Sequence, residues 1–399
     1  MKILVLDEEF PWPPNTGKRI RTFNLLSRLG KDHEVIYLAY GDSDSESFRR
    51  IAEANMTPVA LKRKLPPKHG PAFYARLMAN LLSPYPYIVT SHYTRQFNRK
   101  MRELIAEHQP DIMVAEWTPY ALNFKGLRGV KKVIVAHNME YRIWRRYYRN
   151  ETDPMRRWYI REQMIKVERF ERRAFGWADG ATAVASAEAE EIRGWHPKLD
   201  VQVVENGVDL EYFHPQDLPE AHGRLVFTGS MDWRPNQDAV KHFMQEIQPL
   251  VTRRYPEAMI SFVGRNPSEQ VLAYDKDPRA RVTGTVDDVR PYIAESEVYV
   301  VPLRIGGGSR LKILEALAMQ KAVVSTSVGA EGLEVTPGEN ILIADTPEEF
   351  ANQIGRLLND SELRASLGKK GRELVTKRYG WDILARKLER FLAKVAEQI

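Results

Sequence analysis

The stretch VPLRIGGGSRLKILEALAM, Val301–Met319, sets three consecutive glycines between an apolar strand and a helix. Pro302 stops the strand, Val298–Val301, and the helix carries Arg310, Lys312 and Glu315 in its first turns. Gly306, Gly307 and Gly308, followed by Ser309, let the backbone turn tightly and approach a ligand. Unpaired N–H groups at a helix start favour negative charge. Arg310 as a two-pronged donor and Lys312 as a point charge add the cations that a diphosphate needs. Glu315, one turn beyond Lys312, can accept hydrogen bonds from the two hydroxyls of a ribose. The stretch therefore reads as a cradle for a nucleoside diphosphate. The same residues also read as a flexible turn, a solvated helix start and a local ion pair. The motif is neither the phosphate loop of ATPases nor the dinucleotide fingerprint, so its surroundings must decide.

Working outward, apolar strands alternate with helical patterns on both sides. Strands are expected at Ile3–Leu6, Glu34–Ala39, Ile112–Ala115, Lys132–Ala136, Ala181–Ala185 and Val201–Val204, and again at Leu225–Thr228, Met259–Val263, Val282–Thr283, Val298–Val301, Ala322–Ser325 and Ile341–Ala344. Such alternation predicts doubly wound parallel sheets, and 399 residues suffice for two α/β domains. The turn-rich stretch around Asn206-Gly207 suggests a linker over 205–222, between a first domain, 1–204, and a second, 223–380. The last helix, from about Trp381, carries Leu384, Leu388, Phe391 and Leu392 along one packing face.

Composition narrows the function. No cysteine is present, which excludes disulfides, thiolate zinc sites and a cysteine nucleophile and fits a reducing compartment. MKILVLDEEF reads as a first buried strand rather than a signal peptide. No apolar run approaches the ~20 residues of a membrane span. The expected location is the cytoplasm, with or without peripheral attachment to the inner face of a membrane. The net charge is +6, and the segment 141–173 alone holds eleven Lys/Arg against five Asp/Glu. There Trp144, Tyr147, Tyr148, Trp158 and Tyr159 alternate with arginines, and Pro154 divides a short helix from a longer one. Three readings stay open for this segment: two ordinary amphipathic helices with arginines solvated or paired to Glu162, Glu168 and Glu171, an anionic membrane surface, or nucleic acid.

Three further positions sit at strand ends, where open parallel sheets bind ligands. Gly17 lies at the loop-to-helix junction after the first strand, either as a backbone contact for substrate or simply as a helix start. His137, in HNME after Lys132–Ala136, suits hydrogen bonding or proton transfer near neutrality. Gly229-Ser230 follows the first strand of the second half and reads either as a backbone donor to phosphate or as a plain turn.

In this order, the Gly17 loop, HNME at 137–140, ENGVD at 205–209, FTGSMDWRPN at 227–236, FVGR at 262–265 and PLRIGGGSRLKILEALAM at 302–319 resemble the retaining glycosyltransferases of family 4 over nearly the whole chain. The resemblance implies the GT-B architecture, two Rossmann-like domains facing across a cleft, with the last helix, 381–399, returning to the first domain. It implies transfer of a sugar from a nucleoside diphosphate sugar to a lipid-linked or saccharide acceptor, with retention, no metal, no cofactor and no nucleic acid partner. Residues matching Arg310, Lys312 and Gly306–Gly308 with Ser309 would stabilise the departing diphosphate. The residue matching Glu315 would hold the ribose, that matching His137 would lie beside the sugar, and Asn206, Gly229, Ser230 and Gly264 would line the donor. Closure about Asn206 would exclude water. The sequence departs from the family at Gly307, where many members carry a second glutamate, and the usual Arg and Lys after the first strand of the second domain are replaced by Ser230 and Arg234. Two rivals remain, a nucleotide-sugar epimerase of the same fold and a non-catalytic surface-binding protein.

Overall fold

In the computed structural model, which describes residues 1–63, 69–305 and 310–397, the chain divides into two units, Met1–Glu205 with Leu384–Ile399, and Asn206–Ile383. The first is built on β1 (Lys2–Leu6), β2 (Glu34–Tyr40), β3 (Thr57–Leu61), β4 (Ile112–Ala115), β5 (Lys131–Ala136), β6 (Gly180–Ala183) and β7 (Asp200–Val203). These form one sheet in the order β3-β2-β1-β4-β5-β6-β7, parallel throughout, with Ile3 between Val35 and Ile112. Helices cover such a sheet on both faces, so its central strands read as unbroken apolar runs, KILVL and EVIYLAY among them.

β3 is absent from the expected strands. Its sequence, TPVAL, is short, half-buried and interrupted by Pro58, which only an edge strand tolerates. The helix Gly17–Leu29 buries Leu25, Leu26 and Leu29 as its spacing requires, but it also buries Arg21 and Thr22, while Ile20 and Phe23 stay partly exposed. That substitution of polar for apolar burial points to a polar centre beneath the helix. In the basic segment, Asp153 caps a helix opened by Pro154, giving Glu140–Asn150 and Pro154–Phe175. Among the described residues no helix is long and apolar enough to cross a membrane.

The second unit holds β8 (Arg224–Thr228), β9 (Met259–Val263), β10 (Ala280–Gly284), β11 (Val298–Val301), β12 (Val323–Ser325) and β13 (Leu342–Ile343), all parallel, in the order β10-β9-β8-β11-β12-β13. The helical run from Arg234 to Arg254 widens into a π turn over Phe243–Ile247, directly before Pro249, whose missing N–H cannot join the regular ladder. Residues 206–222 are tied into this unit. Val208 N–H donates to Tyr379 O at 2.8 Å, Ala221 N–H to Glu295 O at 2.9 Å, and Glu220 pairs with Lys321 at 2.6 Å.

The last helix, Trp381–Ala396, changes allegiance along its length, since Leu384 onward belongs with the first unit. A Cβ on Gly180 would come within 2.9 Å of both Phe391 and Val395, so glycine in β6 admits this helix against the sheet. Lys387 pairs with Glu205 at 2.8 Å, Glu389 with His33 at 2.8 Å and Lys394 with Asp200 at 2.6 Å.

Candidate active site

A doubly wound sheet opens a crevice at the carboxyl ends of its strands where the strand order reverses. That point lies between β1 and β4 in the first unit and between β8 and β11 in the second. Gly17 and His137 lie at the first of these places, and Gly229, Gly264, Arg310, Lys312 and Glu315 lie about the second.

In the second unit the backbones after β8 and β9 touch. A Cβ on Gly264 would overlap the carbonyl oxygen of Gly229, so only glycine fits there. Above Gly229 lies the side chain of Lys312. A Cβ at Gly229 would be 2.9 Å from Lys312 Nζ and 2.7 Å from Asn236 Nδ2. The ammonium donates to Asn236 Oδ1 at 2.7 Å and stands 4.0 Å from the centre of the Phe227 ring, while Asn236 Nδ2 donates to Ser230 O at 2.8 Å. Burial pushes the Lys312 ammonium down to about 7 against the pull of Glu315, and the nearby Arg310 charge adds to the fall. Glu315 is pushed up to about 7 by burial, with Lys312 opposing. Among the described residues its carboxyl has no hydrogen-bond or ion-pair partner.

Arg310 caps the helix Leu311–Ala318 in the left-handed region, φ 53°, and its buried guanidinium reaches Glu331 Oε2 at 3.0 Å. Gly306, Gly307, Gly308 and Ser309 lie outside the described residues. One expectation is corrected. The Gly229 N–H is unavailable to a phosphate because it donates to Val263 O at 3.0 Å. Beside it the Ser230 hydroxyl donates to Asp232 at 2.7 Å and accepts from Arg265 Nε at 2.9 Å. Asn206 joins none of these side chains through a hydrogen bond among the described residues. Asn236, which positions Lys312, is not among the residues expected from the sequence, although its place at the helix start after β8 is the available signal.

In the first unit a polar residue follows each central strand: Asp7 after β1, Glu116 after β4 and His137 after β5. His137 Nε2 lies 3.1 Å from Glu116 Oε2, and Thr22 Oγ1 donates to the same oxygen at 3.0 Å. Burial pushes Glu116 up, but the His137 hydrogen bond and the His137 and Arg21 charges prevail and hold it below the usual carboxylate range. This is the polar centre under the helix Gly17–Leu29. Gly17 is that helix's first residue, with Thr16 as its cap. Lys18 beside it is clamped by Asp7 at 2.6 Å and Glu8 at 3.0 Å, and Tyr37 donates to Asp7 at 2.6 Å. Glu140 accepts from Trp117 Nε1 at 2.8 Å, while Asn138 is exposed. Among the described residues no three His, Cys, Asp or Glu side chains converge as a metal-holding group.

Glu116→Ala would leave His137 without its carboxylate partner and remove one of the anions near the buried Arg21. We expect it to destabilise the protein by roughly 2–4 kcal/mol, with Glu116→Gln costing less. Urea denaturation of the two variants checks this, and equal midpoints would contradict it.

Two α/β units, each built on a doubly wound parallel sheet, are the architecture of the GT-B fold, and comparison with known proteins agrees. Residues 17–212 match the family model "Glycosyltransferase Family 4" and residues 222–360 match "Glycosyl transferases group 1". The chain belongs to the family 4, group 1 glycosyltransferases. It is 22% identical over 371 residues to an uncharacterized 44.6 kDa protein in the cps region of Klebsiella pneumoniae, covering 88% of this chain and 90% of that one. It is 25% identical over 323 residues to a GDP-mannose-dependent alpha-(1-6)-phosphatidylinositol monomannoside mannosyltransferase of Mycobacterium tuberculosis, covering 73% and 78%. In structure it resembles sucrose-phosphate synthase from Thermosynechococcus elongatus, with a TM-score of 0.69 at 17% identity and 99% of both chains covered.

Proposed function

We propose that the chain transfers a hexose, with mannose from GDP-mannose the first donor to test, to a hydroxyl of a lipid-linked or saccharide acceptor in glycolipid or cell-surface polysaccharide synthesis. The observation that carries the donor part is the Lys312 ammonium held over the Gly229–Gly264 backbone by Asn236, with Arg310 and Glu315 on the same helix end. The Mycobacterium relative's name supports the choice of GDP-mannose. In this reading Arg310 and Lys312 neutralise charge that grows on the diphosphate as the glycosidic bond breaks, and Glu315 binds the ribose. His137, its ring fixed by Glu116, serves the transferred sugar. Retention and metal independence come with the family resemblance.

A panel of UDP, GDP and ADP in thermal-shift measurements, with magnesium and with a chelator, tests the reading. A shift with one diphosphate in both conditions supports it, and no shift with any of the three would sink it. The partly buried Lys312 adds a pH signature. A diphosphate favours the protonated ammonium, so the folded, empty site near pKa 7 takes up a proton on binding. Affinity should therefore fall as pH rises above about 7, by up to about tenfold per unit. Calorimetry in buffers of different ionisation enthalpy reads the proton uptake directly, and proton release would contradict it.

A further inference from the structure

The helix Pro71–Leu81, PAFYARLMANL, carries one charged residue, Arg76, yet most of it faces water. Tyr74, Met78 and Leu82 recur every fourth residue, forming one line along the helix, and are 60%, 62% and 92% exposed. The side turned into the unit carries half-buried Phe73, Leu77 and Leu81 around one buried polar residue, Asn80. Buried Asn80 donates to Thr90 Oγ1 at 2.9 Å and Tyr85 O at 3.2 Å and accepts from Gln163 Nε2 at 3.0 Å. Lys166 Nζ closes the helix end, donating to Asn80 O at 2.8 Å and Leu81 O at 3.0 Å. A surface helix of a soluble protein ordinarily turns a polar face to water, whereas this one is apolar on its outward side as well.

Gln163 and Lys166 belong to the helix Pro154–Phe175, so the stripe adjoins the basic segment within one unit. There the large apolar side chains Met155 and Trp158 are 80% and 50% exposed, and Tyr147 on the preceding helix is 57% exposed. Exposed Arg149, Arg156 and Arg161 lie among them. The packing reading of that segment accounts for Val167, Phe170, Ala174 and Phe175, which are buried, but not for these.

We propose that the outward line Tyr74–Met78–Leu82, together with Tyr147, Met155, Trp158 and the arginines around them, is a docking surface for an anionic lipid bilayer. Apolar side chains enter the acyl boundary, the tryptophan and tyrosines lie at headgroup level, and the arginines meet lipid phosphates. Charge decides the occupant. A second copy docking through the same face would set its arginines against their own counterparts, whereas an anionic lipid surface complements them. The inference is independent of the donor site, which lies in the other unit.

The test is co-sedimentation of the full chain with vesicles of phosphatidylglycerol and phosphatidylcholine in equal parts, against vesicles of phosphatidylcholine alone. We expect binding to the anionic vesicles only, weakening with salt. The variant Tyr74→Ser/Met78→Ser/Leu82→Ser should lower partitioning on the order of a hundredfold, and Arg149→Glu/Arg156→Glu should lower it and flatten its salt dependence. Leu272→Ser, at an exposed leucine of the second unit, should change nothing. The nucleotide thermal shift should survive in every variant, which separates this result from the donor reading. Should the triple variant melt early, Leu82→Ser alone, at a position beyond the helix end, carries the test. Failure of the native chain to bind anionic vesicles, binding unaltered by the stripe variants, or a lipid-free dimer that the triple variant dissolves would each overturn the proposal.

Discussion

Lys312→Ala should leave a folded protein whose kcat/KM for sugar transfer is lower by about two to three orders of magnitude. The ammonium is held by one short hydrogen bond to Asn236 and lies over the bare backbone of Gly229, where a ligand's charge would meet it at close range. Its stability role points the other way. Burial opposes its charge, so below the unfolded value of 10.5 the folded state binds the proton less readily, and removing the group relieves that cost while Asn236 loses a partner. Melting should therefore move little while turnover collapses. Steady-state kinetics beside thermal unfolding separate the two effects. A variant within threefold of the native kcat/KM would remove Lys312 from the mechanism. Lys312→Arg should not restore activity, because Asn236 and Gly229 already crowd the position of Nζ.

Gly264→Ala should instead act on the fold. Its new methyl would overlap Gly229 O, a backbone atom that no rotamer change can move aside, and φ of 156° adds strain. We expect a loss of roughly 3 kcal/mol or more from the second unit. A chain of two units need not unfold in one step. Tryptophan fluorescence in a urea series should show the second unit's transition moving while the first unit's stays, accompanied by loss of the nucleotide-induced shift. An unchanged profile would mean that the two loops are not in contact.

The alternation of apolar runs and helices is legible because parallel sheets covered on both faces bury whole strands, and the central runs Ile3–Leu6 and Val35–Ala39 hold only apolar and aromatic residues. TPVAL is not legible, since an edge strand needs only half a pattern and tolerates a proline. Of the candidate site, Lys312, Glu315 and His137 can be read because each stands a fixed step after a strong strand or glycine run. Arg21 cannot, and Glu116 is easily passed over, because a single charge in an amphipathic stretch looks the same as a solvated one until its burial is known. The position of Glu116 directly after β4, matching Asp7 after β1 and His137 after β5, is the signal that would have found it. Gly229 misleads for a related reason, since a sequence does not show which backbone donors neighbouring strands have already taken.

The helix Trp381–Ala396 has a consequence for how the protein is made. Gly180 in β6 is covered by Phe391 and Val395, more than two hundred residues further along the chain. At about 5–20 residues added per second, a ribosome needs on the order of ten seconds or more to supply that cover after β6 has emerged. The second unit, whose residues are contiguous, can finish folding first. Val208 pairs with Gly380 beside the place where the chain returns, so the completed second unit holds the two crossing segments together. The unit begun first on the ribosome is thus completed last, with its closing helix delivered by a neighbour that is already folded.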